Sequence, residues 1–81
     1  MDLQAECDRG YEDGLKTGAK DARRGQSNDP YRSGNYKSGG GGFFSWGRSD
    51  AARKAYRDCF LKGYEEGHKN PNLYSGDAGG D

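Results

Sequence analysis

The side chains able to do covalent or metal chemistry are few in this sequence, and their spacing does not suit it. His68 is the single histidine, and Cys7 and Cys59 stand far apart, so no C-x-x-C or H-x-x-x-H ligand spacing exists. Glu12-Asp13 and Glu65-Glu66 are adjacent carboxylate pairs. Neighbours on a helix diverge, so these pairs read as solvated faces rather than general acid and base. The run Gly39–Gly42 has no Lys-Ser/Thr after it and is not a Walker phosphate loop. No local motif joins a serine nucleophile to a base. The chain is therefore expected to be no enzyme and to need no metal, cofactor or small-molecule substrate.

What the sequence does offer is aromatic rings interleaved with cations. Tyr31-Arg32, Tyr36-Lys37 and Phe43-Phe44-Ser45-Trp46-Gly47-Arg48 lie in a stretch rich in Gly, Ser and Asn. Aromatic faces stack on unpaired bases while Arg and Lys follow the phosphates. On this reading Arg23, Arg24, Arg32, Lys37, Arg48, Arg53 and Lys54 are the candidate phosphate contacts, and Tyr31, Tyr36 and Trp46 the candidate stacking residues. A structural alternative stands beside it: Phe43, Phe44 and Trp46 fold back as a lid over a pair of helices short of bulky core residues.

Those helices are legible. Ile and Val are absent and Thr17 is the only β-branched residue, which argues against strands. One helix is expected from about Leu3 to Arg24, stopped by Gly25. A second runs from about Asp50 to Lys69, with Ser49 or Asp50 as N-cap and Asn70-Pro71 as its stop. The intervening 25–49 reads as a long Gly-rich flexible loop, and 75–81 as a disordered tail after a single small domain spanning 1–74.

The helices share a repeat. Arg9-Gly10-Tyr11-Glu12-Asp13-Gly14-Leu15-Lys16 parallels Lys62-Gly63-Tyr64-Glu65-Glu66-Gly67-His68-Lys69. Small residues recur every fourth position: Gly10, Gly14, Gly18 and Ala22 in the first helix, and Ala51, Ala55, Cys59, Gly63 and Gly67 in the second. Each interior glycine costs about 0.8–1 kcal/mol relative to alanine. Close backbone approach of another helix is the compensation expected, by small-xxx-small geometry. The fold class is thus all-α: a two-helix antiparallel hairpin with a glycine-striped interface. In that arrangement Cys7 and Cys59 lie several turns apart and stay reduced. A parallel alignment would bring them near one level.

Composition bounds the stability of such a chain. Only 30% of the 81 residues are hydrophobic and mean hydropathy is −1.30, so a self-sufficient core is doubtful and a homo-oligomer is expected. No apolar run is long enough to span a membrane. The start Met-Asp-Leu-Gln-Ala-Glu lacks a basic n-region and an apolar h-region, so no signal peptide is expected and the cytoplasm is the expected location.

Zero net charge conceals strong segregation. Residues 1–15 carry one basic and five acidic side chains, residues 16–57 ten and three, residues 58–81 two and five. An antiparallel hairpin would gather the acids at one pole and the bases at the other. In the second helix this order opposes the macrodipole, so it serves something other than isolated helix stability.

The order Arg9-Gly10-Tyr11-x-x-Gly14-Leu15, Pro30-Tyr31, then Phe60-Leu61-x-Gly63-Tyr64-x-Glu66 resembles the ribosome modulation factor family, small two-helix bacterial proteins that bind the small ribosomal subunit. The pattern is also similar to bacterial helical proteins of unknown function with repeated Gly-Tyr-x-x-Gly. The first resemblance implies RNA or the ribosome as partner. Self-assembly through the small-residue faces, and a role as protein-binding inhibitor or adaptor, are the alternatives.

Overall fold

A return journey dominates the architecture. The computed structural model describes residues 3–26, 28–40 and 49–72. Helix α1 spans Leu3–Arg23, a 3-10 turn spans Pro30–Arg32, the short helix α2 spans Gly34–Ser38 and helix α3 spans Asp50–Lys69. No strand occurs among the described residues. The two long helices pack on each other, and they run parallel. Gly10 lies against Tyr56, Gly14 against Phe60 and Tyr64, and Gly18 against Tyr64 and His68, so both helices advance together.

This corrects the antiparallel hairpin. Small-residue faces match equally well in either direction, so the faces alone do not choose one. The choice is tied to the connection: a parallel pair must bring the chain back along the 21 residues of α1, about 31 Å at 1.5 Å per residue. Short links favour antiparallel neighbours. The length of 25–49, read above as flexible, is what a crossover requires, and its described part is folded rather than loose.

Glycine sets how close the helices come. A Cβ built on Gly10, Gly14 or Gly18 would sit under 3.0 Å from the carbonyl oxygen of Tyr56, Phe60 or Tyr64 respectively. The reciprocal holds for Gly63 against Tyr11 and Gly67 against Leu15. Gly14 and Gly63 therefore share a level, one turn away from the Gly10–Gly63 match of the sequence repeat. Cys59, Ala19 and Ala52 complete the buried small positions, whereas Ala22 and Ala55 are half-buried and Ala51 is exposed.

The same register brings Cys7 and Cys59 together, with Cα atoms 5.1 Å apart and a disulfide between them. The expected free thiols are thereby corrected. The count of two cysteines said nothing about pairing; the direction of packing decides it.

Caps end each element. Ser49 accepts from the Ala52 amide at 3.1 Å, and Ser33 accepts from the Asn35 amide at 3.2 Å. Gly25, with φ 73°, closes α1: its amide donates to Ala22 and the Gln26 amide to Asp21. Gly39, with φ 68°, closes α2 the same way, its amide donating to Tyr36 and that of Gly40 to Asn35. Both are Schellman closures, which need the left-handed residue that glycine supplies without strain.

The core lies along α3. Tyr56, Phe60 and Tyr64 are fully buried, four residues apart, with stacked rings at 6.0 and 6.3 Å, and His68 continues the stack at 5.8 Å. The tyrosine hydroxyls are latched to α1. Tyr56 Oη donates to Asp13 Oδ2 at 2.5 Å, and Tyr64 Oη donates to Asp21 Oδ2. Phe60 lies between them, and Tyr36 from α2 packs on it at 6.1 Å.

Burial pushes the Tyr64 phenol up to about 12, with the bond to Asp21 adding to the shift and the Asp29 amide opposing it. Its ordinary value of 10.0 applies to the unfolded chain. Between these limits the unfolded chain loses the proton first, so this contribution is intact below pH ~10 and is lost as pH rises through ~12. Thermal melts at increasing alkalinity are expected to show Tm falling across that window. A Tyr64→Phe variant, already lacking the phenol, should show a smaller fall; an equal fall would reject the assignment.

Candidate functional site

The crossover, residues 26–40, is where most cations of the described residues converge. Arg57 of α3 donates through Nε to Tyr36 O at 2.9 Å and through Nη2 to Lys37 O at 2.6 Å, with its guanidinium 5.9 Å from the Tyr36 ring. Those carbonyls lie at the end of α2, where a cation is favoured, and Tyr36 O accepts from the Gly39 amide as well. Arg9 of α1 reaches Gly40 O at 2.6 Å and lies 5.5 Å from the Tyr56 ring. The aliphatic part of Arg53 packs under Gly39, and its guanidinium pairs with Asp50. Arg32 donates to Gln26 Oε1 at 3.1 Å and stands 3.8 Å from Asp21.

Between α1 and the crossover runs a shallow groove with two adjoining hollows. One, of about 210 Å³, is lined by Asp13, Lys16, Thr17, Lys20 and Asn35. The other, of about 370 Å³, is lined by Thr17, Asp21, Arg32 and Ser33. Thr17 is common to both. The two aspartates here are those that accept the tyrosine hydroxyls.

The residues singled out from sequence fall in several places. Tyr31, Arg32, Tyr36 and Lys37 sit on the crossover. Tyr31 is 58% exposed and meets Tyr36 edge-on at 5.1 Å, while Tyr36 is turned inward against Phe60. Arg23 and Arg24 are exposed at the end of α1, Arg23 donating to Pro71 O at 3.3 Å. Arg53 is at the start of α3. Lys54 is exposed and bonds Asp58 at 2.7 Å, an interaction that raises its pKa. Trp46 and Arg48, with Phe43 and Phe44, lie outside the described residues, as does the tail 75–81.

The bases do not form one pole. With the helices parallel, the acidic start of α1 lies beside Arg53, Lys54 and Arg57, and Lys16 and Lys20 lie along the half of α3 that carries Glu65 and Glu66. Opposite charges thus share a level along the two helices, without ion pairs from Lys16 or Lys20 among the described residues. That accounts for an order in α3 that opposes its own dipole.

Sequence reasoning missed Arg9, counted with the acidic segment, and the acceptors Asp13 and Asp21. A signal existed: Asp13 and Asp21 are eight apart, as are Tyr56 and Tyr64, and both pairs are separated by 43 positions. Among the described residues, no three His, Cys, Asp or Glu side chains are grouped to hold a metal ion, and no helix is long and apolar enough to cross a membrane. No family model, no curated protein and no solved structure matches this chain.

Proposed function

We propose that the chain is a non-enzymatic binding module whose crossover side engages the phosphates of an RNA strand. The observation that carries this reading is the gathering of Arg9, Lys16, Lys20, Arg32, Lys37, Arg53 and Arg57 on or against one short segment. Tyr31 supplies an exposed ring beside them for stacking. The motif order shared with the ribosome modulation factor family supports the same class of partner.

Binding of a fluorescent single-stranded RNA is the test. Three to five phosphate contacts give a log–log salt slope of about −2 to −3.5, a loss of roughly ten- to hundred-fold between about 50 and 200 mM salt. Arg32→Ala and Lys37→Ala should each make the slope shallower by about one contact. An affinity indifferent to salt, or none at low salt, rejects the reading.

The disulfide favours a second reading, that of an adaptor or inhibitor binding another protein in an oxidising compartment, because such bonds are rare in the cytosol. Alkylation of thiols in intact cells, before lysis, separates the two. Modified Cys7 and Cys59 support the cytoplasm and RNA; unmodified, bridged cysteines support the adaptor. Self-assembly through the small-residue faces has less support, since those faces lie against each other inside one chain.

A further inference from the structure

We propose that the groove between α1 and the crossover is a discrete binding site for a single phosphate group, the place where one strand phosphate is held. The proposal deepens the RNA reading and rests on it for its biological ligand, but its chemistry is separable. Lys16 and Lys20 are one turn apart on α1, which sets their Cβ atoms about 5–6 Å from each other on one face. Both line the hollow that Asn35 of α2 also lines. Thr17 joins that hollow to the next, where Arg32 and Ser33 stand.

Three cations and several short polar side chains therefore border two hollows that meet at Thr17. Arg32 uses one nitrogen, Nη2, toward Gln26 and Asp21, and half of its side chain remains exposed (51%). The guanidinium carries five N–H donors, and its fork suits phosphate oxygens. Lys16 and Lys20 have no ion-pair partner among the described residues.

The opposing charges are Asp13 and Asp21. Each carboxylate accepts a tyrosine hydroxyl from α3 through Oδ2, and Asp21 Oδ2 also stands 3.8 Å from Arg32, so both acids are already engaged. Thr17 donates its hydroxyl to Asp13 O at 2.8 Å, so it shapes the floor without offering a proton. Ser33 Oγ accepts from the Asn35 amide, and its own proton is left to donate outward. The two hollows, about 210 and 370 Å³, leave room for a phosphate, whereas the phosphates of a longer strand would continue along the crossover toward Lys37.

The test is a titration of the isotope-labelled full chain with inorganic phosphate, followed by amide resonances and compared with sodium chloride at equal ionic strength. Saturable shifts at Thr17, Lys20, Ser33 and Asn35 with phosphate alone are the expected result. The double variant Lys16→Ala/Lys20→Ala should weaken the phosphate affinity at least ten-fold. Lys62→Ala, which removes an exposed charge elsewhere on α3, should leave it unchanged. Should chloride produce the same shifts, or Lys62→Ala weaken binding as much as the double variant, the site does not exist. An RNA arm keeps the two readings apart. Phosphate binding without RNA binding upholds the site and removes the RNA function. RNA binding untouched by the double variant, with no phosphate-specific shifts, does the reverse.

Discussion

Alanine at Gly14 and Gly63 together is expected to lower Tm by about 8–16 °C, whereas alanine at Gly34 leaves it unchanged or slightly raised. The sign makes this result decisive. On an isolated helix each Gly→Ala change is stabilising by about 0.8–1 kcal/mol. Here the added methyl of residue 14 would meet the Phe60 carbonyl and the Tyr64 amide, and that of residue 63 the Tyr11 carbonyl, all at or under 3.0 Å. Backbone cannot swing aside as a lysine side chain can, so the helices must separate. Both methyls act at the same level, and the separation loosens the stacked rings and the two tyrosine–aspartate latches beside it. Overpacking costs about 1–3 kcal/mol per site, so a net loss of about 2 kcal/mol is expected for the pair after the propensity gain. At about 4–8 °C per kcal/mol for a small domain, this gives the stated range. Gly34 has nothing within 4 Å of its built Cβ and an ordinary φ, so alanine there gains propensity at no steric cost. A rise in Tm for the double variant would mean that the helices do not touch backbone to backbone.

The sequence disclosed the helices but not their direction. A single β-branched residue in the whole chain, a serine before Asp50 and a glycine after Arg24 suffice to place α1 and α3. Each of those signals is local, acting within one or two turns. Direction is a long-range property, and small-residue faces carry almost no side chain by which to encode it. The stronger clues were indirect. A connection as long as 25–49 suits a crossover, and the charge order along α3, unfavourable alone, becomes favourable beside a parallel α1. The cysteine pairing and the charge poles both depend on which ends meet, so neither is fixed until the direction is. The short helix Gly34–Ser38 escaped notice for another reason. Its five residues hold one ring, Tyr36, and it exists by capping from Ser33 and Gly39 and by packing on Phe60 rather than by any periodicity. The site was legible in part. Arg32 and Lys37 announce themselves by composition, whereas Asp13 and Asp21 look like ordinary surface acids until tyrosines 43 positions away are brought to them.

Reduction of the Cys7–Cys59 bridge is expected to be strongly destabilising. The bridge spans 52 positions, and removing it restores to the unfolded chain a loop entropy of about 4 kcal/mol on the chain-entropy model. A domain of 81 residues has a total stability of roughly 4–12 kcal/mol at ordinary values per residue. The loss therefore consumes a third of it at best and nearly all of it at worst. The parallel arrangement sharpens the dependence. Nothing in a short turn forces α3 to lie beside α1, since the chain must first complete its return, and loop closure over that length opposes the pairing. With the bridge formed, the same closure is already accomplished in the unfolded state. Calorimetry with and without a thiol reductant, and of the Cys7→Ser/Cys59→Ser variant, should agree on a Tm drop of at least about 15 °C by the same conversion. Peptide mapping under non-reducing conditions should recover one intrachain pair linking residues 7 and 59. If the oxidised chain instead forms dimers through these cysteines, or melts identically with reductant present, α1 and α3 of one molecule are not the parallel pair described here.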